Sequence, residues 1–305
     1  MSSFKYLIKR FFYRSKKYGL IDSLSKTLNF FTNKKKINLD KFSIDKELSL
    51  DDIFLTFGTD KGYLDGKKTY DYLKKKNKLN FENYFEWICR KNIHDYDYAL
   101  GANYTPYYLD HLEKLRKENL KILEIGVANG HSLASFYKYF YNARLFGIDI
   151  KNPNKVFYSG KRMFYEQVDI MNHKQVTNYL KKYNSFDIII DDSFHTYEGN
   201  TTNLKNFFPA LKSEGTYILE DYNGSDEVRK KITDWNFENN KKPMVYGYNT
   251  FEDVLKYLIE KKHFDCTVLS EQTQKYLMEN ISGYNSYRTE HPYGSIAFIN
   301  KINKN

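Results

Sequence analysis

Short apolar runs alternate with longer segments of mixed polarity between residues 120 and 220. The apolar runs have the length of buried strands, and the segments between them are long enough for helices. The expected strands are Lys121–Ile125, Arg144–Ile148, Tyr165–Val168, Phe186–Ile190 and Gly215–Leu219, and the expected helices are Ser132–Phe140, Asn172–Tyr183 and Thr201–Leu211. This alternation is typical of βαβ units with a parallel sheet that is buried on both faces. The pattern therefore predicts a doubly wound α/β domain.

The regions on either side of this alternation predict further elements. Before it, helices are expected at Phe81–Arg90 and Pro106–Lys117, with Thr105 as the N-cap of the second helix. After it, the expected elements are a helix at Phe251–Lys261 and two strands at Cys266–Leu269 and Ser295–Ile299. We expect these two strands to pair as a hairpin at the sheet edge.

The N-terminal segment has the pattern of a basic amphipathic helix. Apolar residues recur with helical spacing at Phe4, Leu7, Ile8, Phe11 and Phe12, and basic residues stand between them. A second apolar run at residues 20–31 leads to three consecutive lysines at 34–36. This arm is interpreted as packing on the body or on a second subunit of a homo-oligomer, or else as peripheral contact with an anionic membrane surface. Binding of the arm to nucleic acid is a third, weaker hypothesis.

The charge of the chain is concentrated in this arm. The 305 residues include 48 Lys+Arg and 38 Asp+Glu, which gives a formal net charge of +10. Residues 1–50 contain twelve basic and four acidic residues, a net +8, so the rest of the chain carries only +2. Because the body has no basic excess to hold a phosphate backbone, we expect no nucleic-acid partner.

The amino-acid composition gives information mainly about the cellular compartment of the protein. Two cysteines are too few for a disulfide framework or a thiolate zinc site, which favours a reducing compartment. The N-terminal segment lacks the continuous apolar stretch and the small-residue cleavage site of a secretory signal. No run approaches the roughly 20 apolar residues that span a bilayer. We therefore expect a cytoplasmic protein, located at the inner face of a membrane if the arm contacts lipid.

Acidic residues stand at the end of each predicted strand. They are Glu124, Asp149, Asp169, the pair Asp191–Asp192 and the pair Glu220–Asp221. Each one alone is compatible with a turn or a helix cap. Ligands of doubly wound sheets, however, bind beyond the carboxyl ends of the strands. Acids at five consecutive strand ends therefore indicate a binding site.

The loop after the first strand discriminates between nucleotide cofactors. It runs from Glu124 to Gly130 and has Ala128 where a dinucleotide-binding loop has its second glycine. Glu124 would repel an anionic pyrophosphate but tolerates an ammonium or a sulfonium. Asp149 is placed to accept hydrogen bonds from ribose hydroxyls. The combination favours S-adenosylmethionine (SAM) over NAD.

At this point the sequence resembles the class I SAM-dependent methyltransferases, and more specifically the macrolide-sugar O-methyltransferases of the macrocin and mycinamicin type. The segments that carry the resemblance are Phe57–Gly62, Tyr104–Thr105, Leu123–Val127, Ile190–His195 and Leu219–Asp221. It extends over residues 57–300 and implies a Rossmann-like doubly wound sheet of the class I methyltransferase type. Together with the helical pattern of the N-terminal segment, it leads us to expect an arm at residues 1–50, a helical cap that contacts the acceptor at 51–118 and a methyltransferase domain at 119–305.

The resemblance also implies roles for individual residues. Mg²⁺ would be bound by Asp192 and Asp221, and His195 would act as the general base, so that His195 and Asp192 are the expected catalytic residues. The implied cofactor contacts are Glu124, Gly126, Ala128, Asn129, Gly130, Ser132, Asp149, Asp169 and Asp191. A turn role for His195 and a helix-cap role for Asp192 are the structural alternatives.

The chain departs from the family pattern in two places. The family has a third metal ligand, a glutamate, at a position that falls near Leu109 in this sequence, so Asp110, Glu113 or Glu220 would have to replace it. About thirty extra residues lie around Tyr63–Ile93, and Asn103 replaces an expected histidine. The second departure affects the region that would contact the acceptor.

The acceptor implied by the resemblance is a sugar hydroxyl. We expect a nucleotide-linked sugar such as a GDP-heptose, or a precursor of a capsular or surface polysaccharide. Methylation of a phosphoramidate or phenol oxygen is an alternative within enzymes. A non-catalytic, membrane-peripheral assembly protein with a SAM-binding fold is an alternative outside them.

Overall fold

The computed structural model describes residues 36–44, 48–62, 64–65, 99–222, 250–289 and 294–303. The chain divides into two units, Met1–Ile37 and Asn38–Asn305, and the description below concerns the second. The predicted arm helix, the apolar run at 20–31 and the predicted helix Phe81–Arg90 lie outside the described residues.

Strands and helices alternate through the described part of the chain. The strands are β1 (Ile37–Asn38), β2 (Leu64–Asp65), β3 (Ala99–Leu100), β4 (Lys121–Ile125), β5 (Arg144–Asp149), β6 (Tyr158–Ser159), β7 (Met163–Gln167), β8 (Phe186–Asp191), β9 (Leu211–Glu220), β10 (Ile281–Arg288) and β11 (Ser295–Lys301). The α-helices are α1 (Leu50–Phe57), α2 (Thr105–Leu112), α3 (His131–Tyr139), α4 (His173–Lys182), α5 (Tyr197–Phe207), α6 (Phe251–Ile259) and α7 (Glu271–Asn280).

The central sheet has seven strands in the order β10-β11-β9-β8-β4-β5-β7. The five strands from β9 to β7 are parallel, whereas β11 is antiparallel to β9 and β10 is antiparallel to β11. The chain leaves β4 toward β5 on one side and later returns to β8 on the other. The strand order therefore reverses between β4 and β8, which is where doubly wound sheets bind ligands.

Both faces of the sheet are buried, as the unbroken apolar strands predict. One face carries Ile122, Leu145, Ile188 and Ile218, which share a core with residues of α1, α2 and α3. The opposite face carries alternate residues such as Leu123, Phe146 and Ile189, in a core with residues of α4, α5, α6 and α7. The predicted fold class is confirmed.

The prediction was wrong at the C-terminal hairpin. Residues Cys266–Leu269 form a bend rather than a strand, in which the Leu269 N–H contacts Cys266 Sγ at 3.4 Å. The partner of β11 is instead β10, which follows α7 directly. β10 lies at the sheet edge, and apart from Ile281, Tyr284 and Tyr287 its residues are small or polar, so it lacks the apolar run that marks a central strand.

Helix ends also differ from the prediction. The N-cap of α2 is Tyr104, and the hydroxyl of Thr105 donates to Asp51 rather than capping the helix. The helix ends at Leu112 and continues only as a short 3₁₀ turn, Glu113–Leu115. Among the described residues, no helix is both long and apolar enough to cross a bilayer.

Candidate active site

The loops after β4 and β8 meet at the point where the strand order reverses. The Asp192 N–H donates to the Ile125 carbonyl at 2.9 Å, and Gly126 has a φ of +92°. A Cβ at Gly126 would lie 2.1 Å from the carbonyl oxygen of Asp192. Glycine is therefore required at position 126 by a backbone contact with the second loop as well as by its left-handed conformation.

Asp149 ties the glycine loop to the end of β5. Its Oδ2 accepts from the Ala128 N–H at 2.7 Å, and its Oδ1 accepts from the Lys151 N–H at 2.8 Å. Ala128 adopts a left-handed φ of 51°, which is uncommon for a residue other than glycine. The carboxylate is half-buried, and each of its oxygens keeps a lone pair for a further donor.

Glu124 is a buried acid beneath the glycine loop. Ser132 at the start of α3 donates to its Oε1, whereas Oε2 has no hydrogen-bond partner among the described residues. Burial raises the pKa of Glu124 to about 7, although Lys61 acts in the opposite direction. A buried carboxylate oxygen without a donor suits a cationic ligand group.

The other predicted cofactor residues lie along the same edge. Gly130 has a φ of +86°, and the Asn129 carbonyl accepts from Phe157 N–H at 3.0 Å. Asp169 is half-buried just after β7, and its Oδ1 accepts from the Met171 N–H at 3.0 Å. The structure thus places these residues on the loops after β4 and β7. One side-chain oxygen of Asp169 is already hydrogen-bonded to the backbone of its own loop.

Asp191, a predicted cofactor contact, is enclosed by protein donors. Its carboxylate is fully buried and accepts hydrogen bonds from Ser193, Asn203 and Tyr217 at 2.6–3.0 Å. These donors occupy both oxygens, so the side chain shapes the loop after β8 instead of presenting itself to a cofactor. Asp191 and Asp192 point in different directions, as consecutive residues at a strand end do.

The loop after β8 and the end of β9 bring three predicted residues together. Asp192, His195 and Asp221 each offer a ligand atom, and these atoms all lie within 4.8 Å of one another. His195 Nε2 lies 3.7 Å from Asp192 Oδ1. His195 and Asp221 both have left-handed φ angles, 51° and 52°. Such backbone conformations cost free energy and are concentrated at functional sites.

Lys61 is a central residue of this cluster that sequence reasoning missed. Its Nζ lies 2.6 Å from Asp192 Oδ2 and forms a second ion pair with Glu220. The side chain is only 3% exposed. Burial alone would lower the pKa of Lys61, but Asp192 and Glu220 outweigh it and raise that pKa well above its ordinary value. Lys61 lies in the segment Phe57–Gly62, and that resemblance was the available signal.

Two tyrosines of the α2 region complete the donor set. The Tyr104 hydroxyl donates to Asp221 Oδ1 and accepts from the Ser295 N–H at 3.0 Å. The Tyr108 hydroxyl donates to Glu220 Oε1. Tyr104 belongs to a segment of the resemblance. Tyr108 was not predicted, and the only signal for it in the sequence is its position one helical turn after Tyr104.

The three candidates for a third metal ligand differ in whether they reach the cluster of Asp192, His195 and Asp221. Both oxygens of Glu220 are engaged, one by Lys61 and one by Tyr108. Asp110 is exposed and lies 3.8 Å from Nε2 of its neighbour His111, and Glu113 is exposed in the 3₁₀ turn. Of the three, only Glu220 reaches the cluster, and its oxygens are taken.

The charges at the site favour a cation. Burial raises the pKa of Asp221 to about 6. Burial acts in the same direction on Asp192, but Lys61 and His195 outweigh it and hold the pKa of Asp192 below its ordinary value. The ammonium of Lys61 thus interacts with three carboxyl groups, those of Glu124, Asp192 and Glu220.

Hard carboxylate oxygens are the ligands that Mg²⁺ prefers. Asp192 and Asp221 keep oxygens that the described protein donors leave available, and Glu124 Oε2 lacks a donor among the described residues. The residues present therefore fit a divalent cation beside a positively charged cofactor.

A parallel sheet with a glycine loop after its first central strand and acids at the following strand ends defines a class I, Rossmann-like methyltransferase fold. The sequence profile of the family described as "Methyltransferase domain" matches residues 116–280, just over half of the chain. The chain belongs to this methyltransferase family, and the resemblance found in the sequence is confirmed.

Several relatives are macrolide-sugar enzymes. Demethylmacrocin O-methyltransferase of Streptomyces fradiae is 30% identical over 125 residues, which cover 39% of this chain and 31% of the relative. L-olivosyl-oleandolide 3-O-methyltransferase of Streptomyces antibioticus is 25% identical over 201 residues, which cover 61% of this chain and 48% of the relative. The chain thus spans about a third to a half of the length of these curated relatives.

A solved structure is similar over a comparable part of the chain. The methyltransferase MycE of mycinamycin biosynthesis, in complex with Mg, SAH and mycinamycin VI, is 25% identical and covers 66% of this chain and 50% of its own, with a TM-score of 0.48.

Proposed function

We propose that the protein is a SAM-dependent O-methyltransferase that acts on a sugar hydroxyl. The observation that carries the proposal is the contact between the glycine loop and the loop of Asp192 and His195. Because Gly126 packs against the backbone of Asp192, a cofactor in the first loop and an acceptor on the second would be neighbours. Such proximity supplies much of the rate of a displacement reaction.

The cofactor would be held along the carboxyl edge of β4, β5 and β7. Glu124 Oε2 offers an acceptor to the ammonium of SAM, and Asp149 offers two oxygens to the ribose. Ile150 and Met171 follow Asp149 and Asp169 closely and are 65% and 60% exposed. An adenine ring would cover such apolar side chains favourably. When bound, SAM supplies an electrophilic methyl group on a sulfonium.

The acceptor chemistry follows from the cluster of Asp192, His195 and Asp221. A sugar hydroxyl is a weak acid, so its oxygen attacks efficiently only if a base takes the proton. His195 is proposed as that base, and Asp192 Oδ1, 3.7 Å from its Nε2, stabilises the imidazolium that forms. Asp192 and Asp221 would hold Mg²⁺, which acidifies the hydroxyl when bound.

The sugar class is supported by the names of the relatives. Those names describe methylation of glycosylated macrolides and related glycosides, such as mycinamicin VI 2''-O-methyltransferase of Micromonospora griseorubida. For this chain we propose a nucleotide-linked sugar such as a GDP-heptose, or a capsular or surface-polysaccharide precursor, as the acceptor. A glycosylated macrolide is the alternative.

The arm carries two further proposals. We propose a cytoplasmic enzyme whose N-terminal arm, residues 1–50, mediates peripheral contact with the inner face of a membrane or assembly of a homo-oligomer. The support is the amphipathic and basic pattern of the sequence in that segment.

An acceptor panel tests the proposed function. The protein would be incubated with SAM, Mg²⁺ and, separately, nucleotide sugars, a glycosylated macrolide and a catechol, and products would be identified by mass spectrometry. We expect a product heavier by one methylene from a sugar acceptor and none from Gly126→Val, whose side chain would collide with Asp192. Methylation of the catechol alone would contradict the sugar assignment.

A further inference from the structure

We propose that Lys61 and Tyr104 make Asp192 and Asp221 one-oxygen ligands, and that this restriction selects Mg²⁺ over Ca²⁺. Each donor occupies one oxygen of one carboxylate and leaves the other oxygen to the ion. The inference rests on the metal site of the proposed function.

Lys61 restricts Asp192. Its Nζ lies 2.6 Å from Asp192 Oδ2, and Asp192 Oδ1 lies on the side of His195, 3.7 Å from Nε2. Lys61 is buried and held from two sides, by a fully buried ion pair with Glu220 and a partly buried one with Asp192. Loss of buried ion pairs is costly, because it leaves charges uncompensated.

Tyr104 restricts Asp221 in the same way. Its hydroxyl donates to Asp221 Oδ1 and is itself fixed by the Ser295 N–H at 3.0 Å. The backbone of Asp221 is held by the same strand residue, since the Asp221 N–H donates to the Ser295 carbonyl at 2.7 Å. Oδ1 is thus committed to a fixed donor, and Oδ2 is the oxygen left for an ion.

The two donors belong to one hydrogen-bonded unit. The Tyr104 N–H donates to the Lys61 carbonyl at 2.7 Å, and the Ala102 N–H donates to the Asp60 carbonyl at 2.6 Å. The segments before α2 and after α1 therefore position both donors together. The same unit withholds Glu220, whose two oxygens contact Lys61 and Tyr108.

Such a site discriminates between ions by coordination number. Ca²⁺ takes roughly six to eight oxygens and commonly binds both oxygens of a carboxylate, whereas Mg²⁺ binds one or two carboxylates and keeps waters in an octahedral arrangement. Two carboxylates that offer one oxygen each satisfy Mg²⁺ and leave Ca²⁺ under-coordinated.

Calorimetric titration of the metal-free protein with MgCl₂ and with CaCl₂, without acceptor, tests the inference. The proteins compared would be wild type, Lys61→Met, Lys61→Arg and Tyr104→Phe. The controls are Lys212→Met and Tyr137→Phe, which remove a lysine–aspartate pair and a tyrosine–aspartate bond away from the site. Thermal melts would establish that each variant is folded.

We expect Mg²⁺ preference to fall about tenfold in Lys61→Met and in Tyr104→Phe, because a freed oxygen lets the carboxylate bind Ca²⁺ through both atoms. Lys61→Arg and both controls should keep the wild-type ratio of the two dissociation constants. An unchanged ratio in Lys61→Met and Tyr104→Phe would overturn the inference and leave the metal site intact. Wild-type protein that binds neither ion would overturn both. If Lys61→Met does not fold, Tyr104→Phe decides alone, because it removes only a hydroxyl group.

Discussion

Four acidic residues at the ends of β8 and β9 have four different sets of hydrogen-bond donors. Asp191 is enclosed by Ser193, Asn203 and Tyr217, and Glu220 by Lys61 and Tyr108. Asp192 and Asp221 each give one oxygen to a protein donor. The division of labour among these acids therefore depends on residues from distant parts of the chain, above all Lys61 and Tyr104.

This dependence explains how far the site was predictable. The positions of Asp192, His195 and Asp221 at one edge follow from the order of the strands, and the structure brings them together as expected. Which acid is free and which is enclosed depends on contacts across more than a hundred residues, such as Lys61 with Asp192. Local pattern contains no information about such contacts.

Replacing His195 tests its role as the base. His195→Ala should lower turnover by about 10²-fold or more, because the hydroxyl proton would lose its proposed acceptor, while SAH binding changes little. Initial rates and SAH titrations measure the two effects. His173→Ala, which replaces an exposed histidine on α4, is the control. Wild-type turnover in His195→Ala would reject the assignment.

Glu124 links cofactor binding to pH. Its pKa in the folded protein is about 7, above the ordinary 4.5, because it is buried. The folded state therefore holds a proton that the unfolded chain releases, and stability falls as pH rises through this interval. Glu124→Gln should melt at a higher temperature than wild type at about pH 8, and the difference should shrink toward about pH 4.5.

The same substitution should weaken binding of SAH, because a neutral glutamine amide would lack the charge that attracts an ammonium. Melting curves at several pH values and a calorimetric titration measure the two effects. If the difference in melting temperature between wild type and Glu124→Gln is the same at every pH, the role given to Glu124 is wrong.

At the scale of elements, α5 fixes the loop that carries His195. The Thr196 side chain caps the helix by accepting from the Gly199 N–H at 3.1 Å, and His195 immediately before it has a left-handed φ. The sequence prediction began this helix four residues too late, at Thr201, because the polar residues at its start resemble a loop. The cap explains why the helix begins immediately after the loop of His195.

Removing this cap should affect both stability and activity. Thr196→Ala should cost about 1 kcal/mol of unfolding free energy and should also reduce turnover, because the backbone of His195 loses its constraint. Ser270→Ala removes the cap of α7, a helix without candidate site residues, and should cost similar stability with unchanged turnover. Denaturant titrations and initial rates provide the comparison. Equal turnover in both variants would contradict the coupling of α5 to His195.

The central strands were predictable and the edge was not, for the same physical reason. β4, β5 and β8 are buried on both faces, so apolar residues predominate in their sequences and form short runs. β10 lies at the edge, and its burial pattern is mostly intermediate or exposed. Its residues carry little of the apolar signal on which sequence reasoning depends.

At the scale of the whole molecule, the net charge of +10 and the acidic site belong to different regions. Most of the positive charge lies in residues 1–50, whereas the described site is a cluster of carboxylates around one lysine. We interpret the arm as a determinant of location or assembly and the strand ends as the determinant of chemistry.

Deletion of residues 1–35 separates these two roles. Methyl transfer to a soluble acceptor should survive with little change, because the deleted segment contains none of the candidate site residues. Binding to vesicles of anionic phospholipid, or the oligomeric state in sedimentation, should change. Loss of methyl transfer by a folded truncated protein would show that the arm takes part in catalysis.

Isothermal titration of the full-length protein with SAM shows whether the carboxyl edge of this sheet binds the cofactor. We expect saturable binding with one site per chain, and loss of that binding in Gly126→Val, whose side chain would enter the contact with Asp192. If the wild-type protein gives neither heat nor thermal stabilisation up to about millimolar SAM, the carboxyl edge is not a SAM site.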